Sequence, residues 1–175
     1  MEIWDAYRAD GSLAGCDLVR GEPIPPGLFH LVSEVLVRHT DGGYLLMQRD
    51  WRKEKYGGMF DATAGGSALK GETPLQAALR ELREETGIIA DGLTPLYVCR
   101  CRQSIYHGYL CVTGCGKSEV PFSPARPSAT AGYRSPSFCA LSTAAPVQAY
   151  AGNGLRAMWR RWRACGPADP KRPRT

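Results

Sequence analysis

Glu81, Glu84 and Glu85 place three carboxylates on about one turn of a helical segment, PLQAALRELREETG. Side chains three and four residues apart share a helix face, so these like charges repel unless something compensates them. A divalent cation compensates. An oxygen-rich, thiol-free set favours Mg²⁺ or Mn²⁺, and Mg²⁺ commonly bridges protein carboxylates to substrate phosphates. Arg80 borders the acidic face, where it can pair with and orient a carboxylate. Gly65 and Gly66 precede the helix, so a backbone without Cβ atoms and its exposed amides can approach an anion closely. The combination points to a phosphate-bearing substrate.

These groups need a helix and a sheet to hold them. Thr73 suits the N-cap, Pro74 the first helical position and Gln76 the third, completing a capping box. Gly87 suits the left-handed position after the last turn. Leu75, Leu79 and Leu82 fall on one stripe that can pack on a sheet, with Glu81, Glu84 and Glu85 on another face. Around the helix the signals are β. Ile3 to Val19 reads as a hairpin about Asp10-Gly11. HLVSEVLVRHT and GYLLMQRD read as adjacent antiparallel strands joined across Asp41-Gly42-Gly43. Phe60 to Ala64 reads as a short strand leaving through Gly65-Gly66, and LTPLYVCRCRQS with YHGYLCVTG as two more strands about a short turn. A helix inserted among mixed or antiparallel strands is an α+β arrangement rather than a repeated βαβ winding.

Residues 66–88, GSALKGETPLQAALRELREETGI, resemble the Nudix box at every defining position: Gly66, five residues, Glu72, seven residues, Arg80-Glu81-Leu82, Arg83, Glu84-Glu85, Thr86, Gly87-Ile88. The wider resemblance runs from about residue 28 to 115. It implies a Nudix-like mixed β-sheet with a catalytic helix, an incomplete α/β/α sandwich. It also implies Mg²⁺-dependent hydrolysis of a diphosphate joined to another group, commonly a nucleoside, with Mn²⁺ as the alternative ion. By the same resemblance Glu81, Glu84 and Glu85 are the metal-binding carboxylates, the Gly66 region adds backbone contacts, and Arg80 with Glu72 braces loop and helix. One of Glu84 and Glu85 then takes part in water activation. WRKEKYGGMFDATAGGSALKGE looks like the subgroup related to isopentenyl diphosphate isomerase, so an isomerase and a non-catalytic phosphate-binding protein stand as alternatives. The isomerase reading is the weaker one, because the histidines are only His30, His39 and His107 and the 49–60 loop has no cysteine.

Outside the box the assignments stay open. Arg49, at the end of a strand, can face a phosphate or an Asp, or serve as an ordinary surface residue. Trp51 and Tyr56 can stack on a base or cover the core. Cysteines from Cys99 to Cys115 with His107 lack a C-x-x-C pair and read as small hydrophobes in strands, and all seven cysteines as reduced thiols.

The 175 residues carry a formal charge of +5, but residues 1–120 hold 13 Lys/Arg against 16 Asp/Glu, while 121–175 hold 9 against 1. We therefore divide the chain into a Nudix-like catalytic domain, 1–120, and an atypical basic region, 121–175. From Pro121 to Pro146 the sequence is Pro-, Ser-, Ala- and Gly-rich and no core element is assigned. A short helix from Leu155 to Arg163 is expected. Glu119 stands as a candidate for the late carboxylate that related proteins carry. The basic region is either a disordered extension for an acidic partner or a frameshift product. The second is preferred, because a core-forming pattern and nearly all acids disappear together. No apolar run of membrane length and no secretory leader is visible, so a soluble, cytoplasmic protein is expected. Its expected partners are a small phosphorylated substrate, such as a nucleotide, and a second copy in a homodimer. Nucleic acid and membrane are disfavoured.

Overall fold

The computed structural model describes residues 1–49, 52, 60–116, 120 and 133–139, with the backbone alone considered at 48, 49, 60 and 133–139. In chain order the elements are β1 (Ile3–Tyr7), β2 (Leu13–Val19), β3 (His30–His39), β4 (Tyr44–Arg49), β5 (Phe60–Asp61), β6 (Thr63–Ser67), α1 (Pro74–Thr86), β7 (Thr94–Cys101), β8 (Ser104–Thr113) and β9 (Tyr133–Cys139). β1 and β2 form the expected hairpin, a separate two-stranded sheet. The other seven strands make one mixed sheet in the order β5-β4-β3-β8-β7, with β6 also on β3 and β9 on β4.

The β3–β4 hairpin is tied at its closed end, where Arg38 faces Tyr44, and splays beyond it. The segment from Phe60 to Ser67 enters the gap. β5 pairs with β4 at Met47 and Gln48, and β6 then pairs with β3 from Leu36↔Thr63 to Val32↔Ser67. The turn between them is held by Asp61, whose Oδ1 accepts from the Thr63 amide (3.1 Å) and hydroxyl (3.0 Å). Gly65 and Gly66 therefore lie inside a strand, where the sequence suggested an exit turn. On its other side β3 runs parallel to β8 through ten paired positions.

Alternation along the strands separates two apolar faces. Val35, Val37, Leu45 and Met47 share a cluster with Ala78 and Leu82 of α1, whereas Leu36 and Leu46 join Ala62, Tyr97 and Cys99 on the opposite side. The helix ends follow the sequence closely. Thr73 and Gln76 form the reciprocal capping box, Pro74 opens the helix, and Gly87 closes it at φ 70°. Its buried face differs from expectation. Leu82 is buried and Leu79 half-buried, but Leu75 is 40% exposed, and Ala77, Ala78 and Thr86 complete the contact. Small side chains bring the helix backbone near β3, where the Ser33 hydroxyl donates to the Pro74 carbonyl at 2.7 Å.

β9 lies within the span 121–146, to which the sequence assigned no element. It runs antiparallel to β4 from Tyr44↔Cys139 to Arg49↔Tyr133, with Pro136 opposite Met47. A partner backbone supplies ladder hydrogen bonds that local β-propensity does not register. The expected helix from Leu155 to Arg163 and the two readings of the basic region fall on residues outside those described. Among the described cysteines no disulfide forms, and among the described residues no helix is long and apolar enough to cross a membrane.

The N-terminal hairpin meets the large sheet through Trp4, which stacks on His30 with ring centroids 4.5 Å apart. Burial lowers the His30 pKa from its ordinary 6.5, and its ring nitrogens lie against the hydroxyls of Ser67 (3.2 Å) and Ser104 (2.7 Å). A depressed histidine pKa means that the unfolded chain takes up the proton first as acid is added. Stability from the neutral ring is thus complete above about pH 6.5 and lost as pH falls through the folded value. The expected result is a Tm that declines below that pH, with the decline reduced in His30→Gln. Thermal melts across pH check it, and matching profiles for both proteins would contradict it.

Candidate metal and phosphate site

The box residues meet where α1 faces β6. Glu81 and Glu85 follow Ala77 at intervals of four, so they sit on the border of the buried helix face rather than away from the sheet. Glu85 Oε2 accepts a hydrogen bond from the Gly65 amide at 3.0 Å. Gly66 leaves the space that the Glu81 carboxylate fills, since a Cβ built there would stand 2.5 Å from Glu81 Oε1. At Gly65 a Cβ would stand 2.3 Å from the Ser33 carbonyl oxygen, so this glycine permits the β3–β6 approach itself.

Arg80 organises the acids. Its Nε and Nη2 donate to the two oxygens of Glu72 at 2.7 and 2.9 Å, its Nη1 to Glu81 at 2.6 Å and to Glu84 at 3.4 Å, and its Nη2 to the Ser67 carbonyl at 3.1 Å. The forked guanidinium suits such two-point contact with a carboxylate. Glu72 also accepts from the Leu69 amide at 2.8 Å. Burial by itself would raise the Glu72 pKa, but the hydrogen bonds from Arg80 and Leu69 outweigh it and leave Glu72 below the ordinary carboxylate range. The Arg80 pKa moves up, with the Glu72 hydrogen bond the largest cause, so its charge is fixed.

Glu81 and Glu85 behave oppositely. Desolvation raises Glu81, with Arg80 pulling down and Glu84 and Glu2 pushing up. Glu85 is raised well above the ordinary value, first by desolvation and then by the charge of Glu81, while the Gly65 amide opposes the shift and Asp61 and Glu84 add to it. The helix thus carries two carboxylates, Glu81 and Glu85, whose charged forms are disfavoured chiefly by desolvation. Among the described residues no three His, Cys, Asp or Glu side chains close into a ready ligand cage. The donor chemistry nonetheless fits a hard divalent cation: the donors are all oxygens, and Arg80 is shared among Glu72, Glu81 and Glu84.

The structure brings together Gly66, Glu72, Arg80, Glu81, Glu84 and Glu85. Arg49 ends β4, but its side chain is outside the described set, as are Trp51, Tyr56 and Glu119 altogether. Sequence reasoning passed over Asp61, which acts on Glu85 through its charge. The Asp-x-Thr turn pattern at 61–63 is a signal for the turn, but its closeness to residue 85 is not local information.

Residues 28–127 match the NUDIX domain. The chain belongs to the Nudix family. A Nudix hydrolase of Listeria monocytogenes is 44% identical over 91 residues, covering 52% of this chain and 54% of the relative. The chain thus spans about half the length of that curated relative. Among solved structures, the Deinococcus radiodurans protein DR0079 superposes with a TM-score of 0.67 at 20% identity, covering 92% of this chain and 99% of that one. A bifunctional NMN adenylyltransferase/ADP ribose pyrophosphatase of Francisella tularensis, complexed with AMP and a Mn ion, gives 0.57 at 18% identity, covering 83% of this chain and 44% of that one. These likenesses establish the Nudix fold and fit the mixed α+β class read from the sequence. The Nudix box here is the β6–α1 unit, and β1 and β2 precede the matched region.

Proposed function

We propose that this Nudix protein hydrolyses a diphosphate linkage in a nucleoside diphosphate derivative or related small phosphorylated substrate, with Mg²⁺ or Mn²⁺ as cofactor. The observation that carries the reading is the desolvated Glu85, bonded to Gly65 and crowded by Glu81, Glu84 and Asp61. Glu81, Glu84 and Glu85 would hold the ion, with the Gly66 backbone beside them. A bound divalent ion neutralises phosphoryl oxygens and acidifies water. Arg80, locked to Glu72, keeps Glu81 and Glu84 turned to one side of the helix. Glu84 or Glu85 would accept a proton from the attacking water, the general-base role open to a carboxylate within hydrogen-bond reach. Arg49 is proposed as a phosphate contact. The ADP-ribose pyrophosphatase named among the structural relatives supports the nucleotide part of the reading.

A product-mass screen tests it, using ADP-ribose, nucleoside diphosphates, nucleotide sugars and prenyl diphosphates with Mg²⁺, Mn²⁺ or chelator. Expected are two phosphorylated fragments, or a monophosphate and phosphate, formed only with a divalent ion. A product of unchanged mass from a prenyl diphosphate would support the isomerase alternative. Tight ligand binding with no product would support a binding protein.

A further inference from the structure

We propose that the β1–β2 hairpin, which lies outside the matched residues 28–127, is a positioning clamp for the loop that carries the metal-binding helix. The inference rests on the metal-binding reading of Glu81, Glu84 and Glu85. It begins with the backbone amides of residues 68–73, the link from β6 to α1, since every buried or ordered amide needs an acceptor. Each of the six has one. Ala68 donates to the Leu31 carbonyl at 2.9 Å and Glu72 to the Leu69 carbonyl at 3.0 Å. Leu69 donates to the Glu72 side chain and Thr73 to that of Gln76, both at 2.8 Å. The two amides at the tip go to the hairpin: Lys70 to the Ile3 carbonyl at 2.9 Å and Gly71 to Asp5 Oδ2 at 2.7 Å.

Two further contacts run from the hairpin to the same place. Trp4 stacks on His30, whose ring meets the Ser67 hydroxyl, and the Ser67 carbonyl is an acceptor for Arg80. Glu2, held by Trp4 Nε1 at 2.9 Å and Arg20 at 2.6 Å, lies within electrostatic reach of both Arg80 and Glu81. The Lys70–Asp17 ion pair at 2.7 Å is exposed and adds little. Together the contacts fix the loop tip from outside while Glu72 and Arg80 fix it from inside. Loss of the outer pins lets the loop shift Glu72, Arg80 and then the carboxylates that Arg80 aligns.

The test is direct binding of Mn²⁺ alone to the full chain, by calorimetry, with Tm measured in parallel. Asp5→Ala is expected to weaken Mn²⁺ binding about tenfold, the size typical for groups that orient metal ligands. Asp5→Asn keeps an oxygen acceptor for the Gly71 amide, and its affinity should stay within about twofold of the parent, judged against that tenfold effect. Equal losses in both variants would overturn the clamp in favour of a simple charge effect. A lowered Tm with unchanged affinity in Asp5→Ala would overturn it in favour of a purely structural hairpin. Should Asp5→Ala fail to fold, Asp5→Ser, too short to reach Gly71, is read by the same criteria. Glu85→Gln separates the two levels: if it binds Mn²⁺ like the parent, the metal-site reading itself fails. If it alone loses binding, that reading stands and the clamp falls.

Discussion

Glu85→Gln is expected to lower divalent-ion-dependent turnover by about 10²–10³-fold while leaving the protein as stable as the parent or more so. The two halves of this result have different causes. Gln is nearly the same shape, and its amide oxygen can still accept from the Gly65 amide, now 3.0 Å from Glu85. The substitution removes a desolvated charge that Glu81, Asp61 and Glu84 oppose, so that repulsion is relieved. On the proposed mechanism hydrolysis loses an anionic metal ligand and one of the two candidate proton acceptors. Steady-state kinetics with a thermal melt reads both. Unchanged turnover would remove Glu85 from the proposed machinery, whereas collapse of the fold would make it a structural residue.

The second large effect separates adjacent glycines. In Gly65→Ala the new methyl would meet the Ser33 carbonyl oxygen at 2.3 Å and Glu34 Cα at 3.0 Å, both backbone atoms of the paired strand. Neither can swing aside, so β3 and β6 must separate across a ladder of five paired positions. A loss of about 3 kcal/mol or more is expected, in the range of overpacking within a core. In Gly66→Ala the atoms nearest the methyl all belong to the flexible end of Glu81, with Oε1 at 2.5 Å. That carboxylate can rotate away at a cost below about 1 kcal/mol, but it then leaves its position beside Arg80. Stability should hardly change and turnover should fall more than tenfold, as expected when one charged group of a catalytic site is displaced. Urea melts and kinetics on the two variants decide the matter. Equal stability of Gly65→Ala and the parent would show that the strands do not approach as closely as described.

Legibility in the sequence followed the range of the interactions. The ends of α1 could be read because Thr73, Gln76 and Gly87 act on amides within a few residues of themselves. The β1–β2 and β7–β8 hairpins were legible for the same reason. The acid residues of the box were picked out by type and spacing alone, as was Arg80 beside them as a group able to pair with a carboxylate. Errors appeared where a distant partner decided. Leu75 has the periodicity of a core residue yet is exposed, because close packing of Ala77 and Ala78 on the sheet sets which arc of the helix is covered. Gly65 and Gly66 look like a turn but serve as strand residues, because β3 lies beside them. β9 has little β-propensity of its own and borrows its order from β4.

The sequence by itself determined the Nudix family, the capped helix and the identity of the acidic groups, because these depend on residue type and on spacing along one short segment. Only the tertiary structure decided which acids are desolvated, which glycine guards a backbone contact and which guards a carboxylate, and that Asp5 of β1 reaches the Gly71 amide in the loop before α1. Burial, pKa and steric room depend on atoms brought together from β1, β3, β6 and α1, and no local pattern records that proximity.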